Sequence, residues 1–186
     1  MPMNKRNKRK IILNADQLRK ATPSVILSEA KNLKRNEIYI ILDNVLDTYN
    51  IGSIFRLADA VAAKKIYLCG GTETPPNHRI KKASINTTEV VEWSYKESAL
   101  EAIHELRTTN SKLQIVAIEQ SDRSIPYDTF RYCLPICLVV GHESDGVSKK
   151  VLKACDGIVE IPMFGVNKSL NVMVSLGIVL YEVIRA

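Results

Sequence analysis

Aromatic side chains are scarce in this chain. Three Phe and one Trp stand among 186 residues, beside seven Tyr. So few large rings argue against an aromatic platform on which successive nucleobases would stack. Cysteine and histidine are also thin. Cys69, Cys133, Cys137 and Cys155 form no C-x-x-C pair, and His78, His104 and His142 are far apart. A zinc site needs clustered ligands at short spacing, so no metal is expected. The four thiols are expected to be buried or half-buried in a reducing compartment. No apolar run reaches the ~18 residues of a membrane span. The longest, residues 172–180, is cut off by Glu182, and residues 11–13 are too short for a secretory core. The expectation is a cytoplasmic protein without a membrane segment. A G-x-S-x-G nucleophile elbow is missing, and no G-x-G-x-x-G follows a strand.

What is present suits one compact domain: 46% hydrophobic and 25% charged residues. The charge is uneven. The net is +6, yet residues 1–35 hold ten Lys/Arg against Asp16 and Glu29, and the rest carries 16 against 18. The excess is led by NKRNKRK, with Lys5, Arg6, Lys8, Arg9 and Lys10. Such a run marks either a polyanion-binding arm or a solvated start. The chain divides into a basic arm, residues 1–36, with short helices around 16–21 and 24–33, and a domain, residues 37–186.

From residue 37 strands and helices alternate. Unbroken apolar runs predict strands at 38–42, 65–69, 90–93, 113–118, 136–140 and 158–161. Helical periodicity covers 51–63, with Asn50 as its cap, then 80–85, 97–108, 147–155 and 168–185. This order predicts an α/β fold with a mostly parallel sheet flanked by helices on both faces. Ligands in such folds sit beyond the carboxyl ends of the strands. Three polar stretches fall there: DNVLDTYNIGSIFR, GHESDG and IPMFGVNKSLN.

GHESDGVS matches the phosphate loop G-x-x-x-x-G-K-[ST] except that Val147 replaces the lysine. Glu143 and Asp145 would repel a triphosphate and tolerate a cationic ligand. The alternative is a plain strand-to-helix turn capped by Ser148 or Asp145. Arg56 lies between Phe55 and Leu57 in a segment expected to pack on the sheet. Its planar fork suits a phosphate or carboxylate, or an ion pair with Asp43, Asp47 or Asp59. Ser169 and Asn171 suit a helix start, where they can cap or meet a ligand.

Taken in order, LDNVLDTYNIGSIFRLADA, LVVGHESDGVSKKVLKACDGIVEIPMFG and SLNVMVSLGIVLYEVIR resemble the three motifs of the SpoU (TrmH-like) family. These are RNA ribose 2′-O-methyltransferases of the SPOUT superfamily. The resemblance runs from about residue 39 to 185. It implies an α/β fold with a deep C-terminal trefoil knot, a homodimer, and S-adenosylmethionine as cofactor. Ile118, Gly141, Ile161, Met163 and Leu170 match cofactor positions. Asn50, Arg56, Glu143, Ser169 and Asn171 match positions tied to catalysis and RNA placement. Glu143 is expected to fix the loop geometry or the arginine, and His142 has no assigned role. Thr48 and Leu57 depart from the usual Pro and Thr, which touches substrate choice more than chemistry. The basic arm then reads as the grip on RNA, with tRNA favoured over rRNA. The rival is a knotted RNA-binding module that transfers no methyl group.

Overall fold

A computed structural model describes residues 34–186, together with Gln17 and Lys20. Lys5, Arg6, Lys8, Arg9 and Lys10 lie outside the described residues, as do most of the two short helices expected before residue 34.

Seven strands form one sheet: β1 (Asn36–Asp43), β2 (Ala63–Cys69), β3 (Trp93–Lys96), β4 (Gln114–Ile118), β5 (Ile125–Pro126), β6 (Ile136–Gly141) and β7 (Gly157–Glu160). Their order is β3-β2-β1-β6-β4-β7-β5, and every pairing is parallel. Parallel strands cannot be joined by tight turns, so helices carry the chain back. These are α1 (Thr48–Ala60), α2 (His78–Ser84), α3 (Ala99–Thr109), α4 (Lys149–Ala154) and α5 (Val172–Arg185), with a 3₁₀ turn at Thr87–Glu89.

The sheet is covered on both faces, as its apolar strands require. Along β1 the side chains alternate: Ile38, Ile40 and Leu42 enter one core, and Tyr39 and Ile41 the other. The first core is closed by α1, α2 and α5, the second by α3 and α4. Each long helix buries a stripe at i, i+3, i+4 and i+7. In α1 it is Ile51, Ile54, Phe55 and Ala58; in α5 it is Leu176, Val179, Leu180 and Val183.

Several boundaries move. α1 starts at Thr48, because Asp47 and not Asn50 caps it: its carboxylate accepts the Tyr49 and Asn50 N–H groups. The third strand begins at Trp93, since Thr87–Glu89 coils tightly and Val91 is spent on core packing. α5 begins at Val172, with Asn171 as its cap, so residues 162–170 cross the top of the sheet without helix. β5 has two exposed residues and gives no periodic signal. Cys133 is exposed, against expectation, while Cys69 and Cys137 are buried and Cys155 is half-buried. Burial pushes the Cys69 and Cys155 thiols up to about 12, and Cys137 well above its ordinary value. Among the described residues no helix is long and apolar enough to cross a membrane.

Candidate active site

The carboxyl ends of β1, β6, β4 and β7 stand side by side. Asp43 is in register with Gly141, and Ile118 with Val159. Chain order reverses here, since β1 neighbours β6 and β6 neighbours β4. A cleft opens at this switch point.

The loop after β6 is a closed turn. His142 and Gly146 exchange backbone bonds of 3.1 and 2.9 Å. Gly146 has φ +68°, the left-handed region that favours glycine. A Cβ on Gly141 would run into the backbone of Gly146 and Val147. His142 does have a role within the turn: its Nδ1 accepts the N–H of Ser144 at 3.0 Å and of Asp145 at 3.2 Å. The Val147 N–H donates to Glu119 Oε2 at 2.8 Å, and that of Ser148 to Asp43 Oδ2 at 3.0 Å. A phosphate loop works by pointing free N–H groups at its ligand. Here five successive N–H groups, those of residues 144–148, are taken by the protein's own acceptors. Val147, in place of the lysine, is buried in the second core. Ser148 caps α4 by position, without a side-chain bond, and Asp145 does not cap it.

Glu143 reaches back across 96 positions. Its Oε1 accepts the Asp47 N–H and Asn50 Nδ2, both at 3.0 Å, and its Oε2 accepts the Leu46 N–H at 3.2 Å. Burial raises this carboxyl, but the bonds from Asn50, Asp47 and Leu46 outweigh it and hold the group below its ordinary value. A carboxylate only accepts, so the Asn50 amide must turn its NH₂ to Glu143. Its Oδ1 then accepts Asn171 Nδ2 at 3.0 Å, while Asn171 Oδ1 accepts the Met173 N–H. One chain, Glu143–Asn50–Asn171, thus ties the three polar stretches together.

Ile118, Gly141, Ile161 and Leu170 line the cleft, and so do Glu143 and Ser169. Met163 is half-buried and does not line it. Two further lining residues escaped sequence reasoning. Glu119 holds the loop after β6, and Gln120 Nε2 donates to the Lys168 carbonyl at 2.7 Å. They follow an apolar strand as IVAI-EQ, and that abrupt polar pair is the signal that could have found them. Glu119, Glu143 and Glu160 bring three carboxylates to the lining, with no lysine or arginine among them.

Arg56 is exposed on α1 rather than packed on the sheet, and it makes no hydrogen bond or ion pair among the described residues. The expected alternatives are absent. Asp43 serves Ser148 and Asn44, and Asp47 serves the helix start. Burial raises the Asp59 carboxyl, and the charge near enough to oppose this is Arg35. Glu143 therefore fixes loop geometry and leaves the arginine free. Among the described residues no group of three or more His, Cys, Asp and Glu is placed to hold a metal ion.

Comparison with known proteins agrees with this architecture. The profile of the SpoU rRNA Methylase family matches residues 37–181. A tRNA (guanosine(18)-2′-O)-methyltransferase of Aquifex aeolicus is 33% identical over 86% of this chain and 74% of its own length. A 23S rRNA (guanosine-2′-O-)-methyltransferase of Neisseria meningitidis is 30% identical over 83% of this chain, which spans only 61% of that relative. Among solved structures, an AdoMet-bound rRNA methyltransferase from Sinorhizobium meliloti superposes with TM-score 0.75 at 28% identity, covering 90% of this chain and 59% of that one. The A. aeolicus TrmH/SpoU tRNA modifying enzyme gives 0.73 at 28%, covering 92% and 81%.

Proposed function

The chain belongs to the SpoU rRNA Methylase family, and from that premise we propose that it transfers a methyl group from S-adenosylmethionine to a ribose 2′-hydroxyl of RNA. The observation that carries the reading is the Glu143–Asn50–Asn171 chain beside a cleft without a cationic side chain.

The cleft fits that cofactor chemically. Ile118, Ile161 and Leu170 offer apolar surface to an adenosyl group, and Gly141 lets the turn after β6 close tightly beside it. Three carboxylates favour a ligand with positive charge and disfavour a triphosphate. When bound, the cofactor supplies a methyl group on a sulfonium, already activated for attack by an oxygen. Met163 stays outside this set by its position.

The chain's own residues then divide the work. Asn50, Glu143 and Asn171 hold the loops in one geometry, so that the ribose is presented at a fixed angle. Ser169 offers at the rim a hydroxyl that makes no hydrogen bond among the described residues. Arg56, unpaired and exposed, holds the phosphate beside the target ribose and polarises its 2′-OH. A guanidinium does not give up its proton near neutral pH, so Arg56 is no general base. Lys5, Arg6, Lys8, Arg9 and Lys10 add a sequence-independent grip on the RNA backbone.

Transfer RNA is the favoured substrate, ahead of rRNA. The support is that the relative named for tRNA matches over more of its own length than the one named for rRNA. A homodimer belongs to the same reading, supported by the exposed apolar side chains Leu46, Tyr49 and Val174 near the site. The expected trefoil knot does too, supported by membership of the family.

The test uses purified protein, methyl-labelled S-adenosylmethionine and separate pools of unmodified tRNA and rRNA, digested to nucleosides. Label in 2′-O-methyl nucleosides from tRNA, lost in Arg56→Ala, is the expected result. Cofactor and RNA binding without transfer to either pool would leave a binding module instead.

A further inference from the structure

We infer that α2 and the β3 edge form a second RNA-contact site, separate from the cleft and from the basic arm. The inference rests on the reading of RNA as substrate. Residues 36–186 carry more acid than base, yet α2 concentrates positive charge: HRIKKAS places His78, Arg79, Lys81 and Lys82 within five positions. All four are exposed, and none makes a hydrogen bond or ion pair through its side chain among the described residues. Lys64 pairs with Glu37, Lys65 with Glu92, Arg107 with Asp156 and Arg185 with Glu182, whereas Lys149, Lys150 and Lys153 of α4 are exposed without an ion pair among the described residues, so charge alone does not single out α2 and its place must decide. A cluster left unpaired costs self-repulsion in the free protein, which a polyanion relieves.

The place fits as well. α2 packs on α1 so closely that a Cβ on Gly52 would come 2.6 Å from Ala83 Cβ and 2.7 Å from the Ile80 carbonyl. Arg56 lies four positions beyond Gly52, one turn along the same side of α1. The cationic helix therefore borders the side of α1 that displays the proposed phosphate-binding arginine.

A groove runs from Gly71 to Asn77, the α2 cap, with Trp93 and Tyr95 as its wall and one acid, Glu73, which accepts a bond from the Asn77 amide. The two aromatics stand two positions apart on β3 and share a face. Trp93 packs against the first core, the core that Ile80 of α2 also enters. Tyr95 is 42% exposed, with its hydroxyl fixed on the Gly70 carbonyl at 3.0 Å. A held, half-exposed ring in a groove that ends at the cap of a cationic helix suits single-stranded nucleic acid, with a base on the ring and the following phosphates on the helix. The occupant is an unpaired RNA segment flanking the target nucleotide. Scarce aromatics rule out an extended platform, but a single base needs one ring.

The experiment measures binding of unmodified tRNA to the full chain across a salt series. Arg79→Gln/Lys81→Gln/Lys82→Gln keeps helix propensity and removes three charges. Lys149→Gln/Lys150→Gln/Lys153→Gln on α4, over the other core, is the control. The α2 triple should bind at least tenfold more weakly at low salt. Its log–log salt slope should fall by about 2, at about 0.7 per lost single-strand phosphate contact. Its cofactor affinity should match wild type. Tyr95→Leu should weaken binding about fivefold without changing the slope, and Tyr95→Phe should bind as wild type does. An α2 triple within twofold of wild type in affinity, or an α4 triple equal to it, overturns the site. If wild type methylates RNA while the α2 triple is unaffected, only this inference falls. If wild type binds no RNA, both readings fall.

Discussion

The side-chain amides of Asn50 and Asn171 meet at 3.0 Å across 121 positions of sequence. Asn50 is buried and serves both neighbours, giving a bond to Glu143 and taking one from Asn171. Asn50→Ala should cost about 1–3 kcal/mol of unfolding free energy, because the Asn171 amide loses its acceptor and Glu143 a donor. Asn50→Asp should cost more at neutral pH, since it sets a second carboxylate against Glu143. Urea titrations of both variants decide this. Wild-type stability in Asn50→Asp would mean that the chain of bonds does not hold the loops.

Glu143 gives that arrangement a pH signature. Its folded carboxyl lies below the ordinary range, so it contributes stability that is fully present above about pH 4.3, the unfolded value, and is lost as pH falls through the lower folded one. The gap in thermal midpoint between wild type and Glu143→Gln should therefore be widest near neutrality and shrink below pH 4. A gap that stays constant from pH 3 to 7 would show that the charge of Glu143 contributes nothing.

The two glycines of the turn should not be equally tolerant. An added methyl at Gly141 meets backbone, whereas at Gly146 it meets the end of the Glu119 side chain and a strained φ. Gly141→Ala should cost about 3 kcal/mol or more and Gly146→Ala about 1–2 kcal/mol. Melting curves and calorimetric titration with S-adenosylmethionine would show the order, and a reversed order would contradict the packing.

Arg56 makes no hydrogen bond or ion pair among the described residues, so its removal should be nearly silent in the free protein. Arg56→Ala and Arg56→Lys should keep the wild-type melting temperature and cofactor affinity while losing at least about 100-fold in kcat/KM for RNA. Near-normal turnover by Arg56→Lys would show that the planar fork is dispensable.

Glu119 and Gln120 each hold one of the loops that line the cleft. As positioning residues they should act on cofactor affinity. Glu119→Ala and Gln120→Ala should each raise the cofactor Kd about tenfold, equal to about 1.4 kcal/mol, with kcat changed less than threefold. A split in the other direction, with Kd intact and kcat reduced, would place them in the reacting geometry instead.

Much of this was legible in the sequence where the signal is local. The apolar runs marked five of seven strands and placed β3 three residues too early, and the α1, α3 and α5 stripes followed their 3.6-residue period. Caps were legible by type and not always by position. Asn50 is the expected cap of α1, but Asp47 caps it while the Asn50 side chain bonds to Glu143 and Asn171. Residues 168–171 carry a helical pattern but remain outside the helix, since Asn171 caps the helix that starts after it. The Glu143 contacts, 93 to 97 positions away, leave no trace in periodicity. The resemblance picked out Glu143, Asn50 and Asn171 and could not say that they bond to one another. Glu119 and His142 went unassigned because both act on the turn after β6 through its backbone N–H groups, and the polar pair after β4 was the one local trace of Glu119.

The central pairing of the sheet has a consequence for how the protein is made. β1 hydrogen-bonds β6, and Asp43 lies opposite Gly141, almost a hundred residues later. On the ribosome, β1 and β2 emerge early and can pair with each other, but the far edge of β1 must wait until the chain is three-quarters complete. During that interval an edge of buried isoleucines stands open, which is the template for pairing with a neighbouring nascent chain. Contacts of such long separation also slow folding after release. Synthesis of this protein thus carries a window of aggregation risk that closes only when residues 136–141 leave the exit tunnel, and holdase chaperones should engage it most strongly before that point.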